Sequence, residues 1–107
     1  MASTDPENPL AAELKQETAA AYFVACKKMV EALEALEAFD RAIHWETQDD
    51  GHTRRRSELL EDAAERVFYV VIQREAMGLT GYEEFLRNYG IPAEVRARLG
   101  PKRLKRP

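Results

Sequence analysis

The chain holds one cysteine, Cys26, among 107 residues. A lone thiol closes no internal disulfide and is too few for a structural zinc site, so a reducing compartment, the cytoplasm, is the expectation. Long apolar runs are also missing. The longest, Val67 to Ile72, is six residues, far short of the roughly 20 that a membrane-spanning helix needs. No basic stretch followed by an apolar one opens the chain, so no secretory leader is expected. Glycine and proline are absent from Leu10 to Glu46, which removes the residues that break helices and supply turns. No Glu-x-x-His pair occurs anywhere, so the inward carboxylate and histidine ligands of a bundle metal centre are lacking.

What is present is helix-forming residues and charge. Hydrophobic residues make up 45% and charged residues 33%, the balance of a well-solvated helical chain of one domain. Leu10–Glu46 is rich in Ala, Glu, Leu and Lys, which lose least on entering a helix. Asn8 and Pro9 suit its start, as cap and first helical residue. Tyr22, Cys26, Met29, Leu33, Leu36 and Ile43 follow four- and three-residue steps, with Asp40 standing where the stripe wants an apolar side chain. Ala25, Ala32 and Phe39 widen the face to that of a bundle helix.

Thr47–His52 reads as a turn. A second helix is expected to start between Thr53 and Ser57 and to run to Met77, with Leu60, Ala63, Ala64, Val67, Phe68, Val71 and, at its end, Glu75 inward. The run Val67–Ile72, apolar all round, should be its most buried part. Gly78 is expected to cap it in the left-handed conformation. Thr80-Gly-Tyr-Glu83 matches a capping box for a third helix, which Gly90 ends. Pro92 opens a fourth and Gly100-Pro101 closes it. The fold class is therefore all-α: a long N-terminal helix, an antiparallel second helix and two short helices. Residues 1–8 read as a disordered arm, 9–100 as the domain and 101–107 as a basic flexible tail.

A second helix of about 20–24 residues, roughly 33 Å, covers only part of the first. Leu10, Leu14, Tyr22, Met29, Leu33 and Leu36 are thus candidates for an oligomer interface, most simply that of a homodimer.

Chemistry is sparse. Asp40 and His44, four residues apart, suit a hydrogen-bonded pair better than a metal site. Asp49, Asp50 and His52 lack the longer calcium-loop pattern. Cys26 sits on the apolar stripe, with Lys27 and Lys28 the sole hint of an electropositive setting. No catalytic, cofactor or metal residue is assigned, and a non-enzyme is expected. Asp40 or Glu37 is expected to pair with Arg74 across helices, with a charged pocket near Asp40, His44 and Arg74 as the ligand-binding alternative.

Charge divides unevenly. Residues 1–50 carry four basic and eleven acidic side chains, a net of −7, and residues 51–107 carry twelve and eight, a net of +4. Arg54, Arg55 and Arg56, at or before a helix start, and the tail residues Lys102, Arg103, Lys105 and Arg106 are candidate anion or nucleic-acid contacts, or contacts for an acidic protein. Tyr82–Leu99 invites comparison with a helix-turn-helix. The match fails at Leu86, where a small residue is wanted, and at Arg96, where a buried aliphatic one is.

The strings Glu34-Ala-Leu-Glu-Ala-Phe-Asp40, Gln73-Arg-Glu-Ala-Met-Gly-Leu79 and Tyr89-Gly-Ile-Pro-Ala-Glu-Val-Arg-Ala-Arg-Leu-Gly100 together resemble a family of small bacterial helical proteins, a domain of unknown function. The resemblance implies a bacterial, cytoplasmic, all-helical protein and brings no catalytic role to any residue. The leading functional expectation is a self-associating interaction protein; the alternative is an accessory nucleic-acid-binding protein.

Overall fold

The computed structural model describes residues 9–42 and 49–104, with side chains from 10 to 42 and from 49 to 99. Four helices run in the order α1 (Pro9–Arg41), α2 (Asp50–Ala76), α3 (Tyr82–Asn88) and α4 (Ala93–Leu104). Among the described residues no strand occurs, and the chain is all-α. No helix among them is long and apolar enough to cross a membrane. The expectations for residues 1–8, for Ile43 and His44, and for 105–107 lie outside the described residues.

α2 is the central helix, packing on α1 along one side and on α4 along another. The core is Met29, Ala32 and Leu36 of α1, Leu59, Leu60, Ala63, Ala64, Val67, Val70 and Val71 of α2, and Phe85, Leu86, Ile91, Val95 and Leu99 beyond it. Ala63 and Ala64 present no bulk, which lets neighbouring helices approach closely. The run Val67–Ile72 is less uniformly buried than expected. Val67, Val70 and Val71 face inward, whereas Tyr69 lies in solvent and Phe68 and Ile72 are half-buried. A helix between two neighbours still presents one turn-face in three or four to water.

Two glycines shape the route from α2 to α4. Gly78 takes φ 74° and Gly90 φ 62°. At Gly78, the amide donates to the Glu75 carbonyl (3.0 Å) and the next amide, Leu79, to Arg74 (2.9 Å). At Gly90 the same pattern runs from Gly90 to Arg87 and from Ile91 to Leu86, both at 3.0 Å. These are paired Schellman closures, which satisfy carbonyls that a helix end leaves open.

Three boundaries differ from expectation. α2 begins at Asp50, because Asp49 caps it by accepting the His52 amide at 2.9 Å; Arg54–Arg56 are therefore helical and not loop. α1 is described to Arg41, and its expected end near Glu46 lies outside the described residues. α3 is preceded by Gly81 at φ 79° with no side-chain cap, and the Thr80 capping box does not form. The Thr80 carbonyl instead accepts from Arg74. Pro92 stands just before α4, its carbonyl accepting from Arg96, and α4 passes through Gly100-Pro101 to Leu104.

Candidate functional site

The most organised polar group is a node around Arg56. Its Nε and Nη2 donate to the two oxygens of Asp40 at 2.8 and 3.0 Å, and its Nη1 and Nη2 donate to Glu94 at 2.8 Å each. One guanidinium thus ties the C-terminal end of α1, the start of α2 and the start of α4. Bidentate geometry of this kind gives orientation as well as energy. The Arg56 hydrogen bonds hold the Asp40 and Glu94 carboxyls below their usual range, and the two carboxylates in turn raise the Arg56 guanidinium. The carboxylates also counter the cost of positive charge near a helix N-terminus.

The node corrects the sequence reading twice. Asp40 pairs with Arg56, and Glu37 with Arg41 of its own helix at 2.8 Å; neither pairs with Arg74. Arg56, a candidate anion contact, has its donors held by Asp40 and Glu94. Arg55 reaches Glu58 at 3.4 Å and Arg54 is exposed. Of the tail candidates, Lys102 and Arg103 lie on α4 and Lys105 and Arg106 outside the described residues.

Arg74 serves the other end of the bundle. It donates to the Tyr22 hydroxyl at 3.1 Å and to the Thr80 carbonyl at 2.8 Å, with its guanidinium 4.8 Å from the centre of the Phe85 ring. Burial raises the Tyr22 hydroxyl pKa, and the Arg74 hydrogen bond opposes that rise. The supposed ligand pocket joining Asp40 to Arg74 is therefore two separate polar nodes.

His52 stacks on Phe39, ring centres 4.8 Å apart, and its buried Nε2 has no partner among the described residues. No group of three or more His, Cys, Asp or Glu comes together there either. Leu86 is buried, and Arg96 is exposed and paired with Glu83 at 2.6 Å. α3 and α4 therefore form a packing unit on α2.

The candidate interface residues divide. Met29 and Leu36 are fully engaged in the chain's own core and leave that surface, because α2 covers this part of α1. Tyr22 and Leu33 are half-buried against the core. Leu10 and Leu14 stand 61% and 55% exposed. Sequence reading missed Phe23, 72% exposed and the most solvated large apolar side chain described. It lies off the stripe that pointed to the core, so a search along one face passes over it.

Phe23 borders a groove of about 560 Å³ lined also by Tyr22, Cys26, Val30 and Tyr89. A second groove of about 460 Å³ shares Val30, Glu34 and Tyr89 and ends at the Arg56 node. Together they follow α1 on the side of the α3–α4 turn. Burial raises the Tyr89 hydroxyl pKa, with Cys26 and Tyr22 beside it adding to the rise. The arrangement offers shape and apolar surface. Comparisons with protein-family models, with curated proteins and with solved structures gave no match.

Proposed function

We propose that the protein is a non-enzymatic helical interaction module of the cytoplasm that associates with itself through α1, as a homodimer. The exposure of Phe23 beside an apolar groove carries this reading. Single exposed leucines are ordinary on a protein surface. A phenylalanine in water next to half-buried Cys26 and Val30 is a contiguous apolar patch, and such patches mark sites of association. The family resemblance of the three strings supports a small bacterial helical protein and adds no chemistry. Light scattering tests the reading: association gives a mass approaching twice 12.2 kDa as concentration rises. A mass fixed at the monomer value into the high micromolar range sinks it.

A further inference from the structure

A groove of about 230 Å³ between α1 and α2 is lined by Lys28, Arg66, Tyr69 and Gln73, and by no acid. On α1, Ala21, Ala25 and Lys28 follow each other at steps of four and three residues; on α2, Arg66, Tyr69 and Gln73 do so at three and four. Each set therefore shares one helix face. Tyr22 meets Arg74 and Asp40 meets Arg56, an antiparallel register that sets Lys28 across from the turn holding Arg66 and Tyr69. Ala21 and Ala25, also on the walls, carry no bulk to fill the space. We propose that this groove binds a small aromatic phosphate monoester, its phosphate between Lys28 and Arg66 and its ring on Tyr69.

The donors select the anion. Among the described residues the side chains of Lys28, Tyr69 and Gln73 make no hydrogen bond or ion pair. Arg66 Nε stands 3.6 Å from Asp62 Oδ1, too far for a hydrogen bond. Arg41, Arg56, Arg96 and Arg98 each donate to a carboxylate; Arg66 does not. Two cations thus share a groove with no acid on its walls, in a chain whose acids outnumber its bases 19 to 16. A phosphate monoester brings close to two negative charges and three acceptor oxygens. Those answer the arginine fork, the lysine ammonium and the Gln73 amide together. A carboxylate, with one charge and two oxygens, leaves one cation unanswered.

Size and the aromatic wall narrow the ligand. The groove is smaller than the roughly 300–1,000 Å³ of drug-sized sites, which suits a phosphate bearing a single ring. Tyr69 is 59% exposed, and an aromatic pair adds attraction beyond the area it buries. Asp62 lies one turn before Arg66, Glu65 one turn before Tyr69 and Glu31 one turn after Lys28. All three are off the walls; Asp62, the one paired with Arg66, competes most directly with an anion. The site is separate from the self-association surface. By 100° per residue, Ala21 and Lys28 lie on one side of the Met29 and Leu36 stripe, and Phe23 and Val30 on the other.

Titration of the isotope-labelled full chain with phenyl phosphate at constant ionic strength, followed by nuclear magnetic resonance, tests the site. Saturable shifts are expected at Lys28, Arg66, Tyr69 and Gln73. Lys28→Gln and Arg66→Gln should each weaken binding about tenfold at unchanged helicity by circular dichroism. Lys27→Gln removes the same charge from the outer face of α1 and should leave binding unchanged. Asp62→Asn should tighten it about threefold. Inorganic phosphate should bind more weakly than phenyl phosphate, and Tyr69→Leu should abolish that difference. Benzoate should bind about tenfold more weakly than phenyl phosphate. Absence of saturable shifts, equal binding of benzoate, equal losses in Lys27→Gln and Lys28→Gln, or a ring preference that survives Tyr69→Leu overturns the proposal.

Discussion

The two ends of α1 share a composition and differ in company. From Met29 to Asp40 the helix is held by α2 on its core face and by Arg56 at its end. From Leu10 to Ala21 it carries the same Ala, Glu, Leu and Lys, yet most of its side chains face water. Propensity explains why both are helical. Packing explains where stability resides, because an isolated helix of about a dozen residues is marginal in water. A helix that extends past its own covering element is therefore a surface held out from the body.

The sharpest break in that comparison comes from emptying the core. Leu86→Ala removes a buried side chain of α3 from the core, and should cost about 2–5 kcal/mol. Urea denaturation would show a lower midpoint at unchanged slope. A cost under about 1 kcal/mol would mean that the body is no better packed than the exposed end.

Next in size is the node. Arg56→Met keeps the aliphatic stem and removes the guanidinium, and should cost roughly 1–2 kcal/mol at neutral pH after solvent screening. The folded-state pKa values of Asp40 and Glu94 are depressed. Their contribution is thus complete above the unfolded carboxyl values of about 3.9–4.3 and is lost as pH falls through the lower folded values. Thermal melts from neutral to acid pH should show this acid-side loss in the wild type and a flatter profile in Arg56→Met. Equal profiles would show that the node carries no linked stability.

Gly90→Ala isolates backbone conformation from packing. A Cβ there meets nothing within 4 Å, but φ is 62°, so the cost is that of a left-handed alanine, about 1 kcal/mol. A fall of several kcal/mol in chemical denaturation would point to a steric role instead. The smallest effect belongs to the bare end. Leu14→Ser should change the stability of the monomer by less than about 0.5 kcal/mol, measured at concentrations below association.

Local signals carried most of the fold. The Gly-free and Pro-free stretch marked α1, and Gly78 and Gly90 marked their turns because only a left-handed residue closes a helix that way. The inward face of α2 was readable from period alone at Leu60, Ala63, Ala64, Val67 and Val71. Partner choice was not. Arg56 meets Asp40 sixteen residues away and Glu94 thirty-eight away, and no local pattern encodes a pairing across three helices. Arg74 was the nearer guess for Asp40 because both interrupt apolar faces, yet they lie at opposite ends of the bundle. The surface around Phe23 was missed for a related reason. One apolar stripe was sufficient to build the core, and Phe23 stands off it.

The central claim is that the chain associates with itself through the face of α1 that exposes Phe23. Sedimentation equilibrium of wild-type protein beside Phe23→Glu tests it most directly. The wild type should move from 12.2 kDa toward twice that mass as concentration rises, while Phe23→Glu stays at 12.2 kDa. Identical masses for the two at every concentration would contradict it.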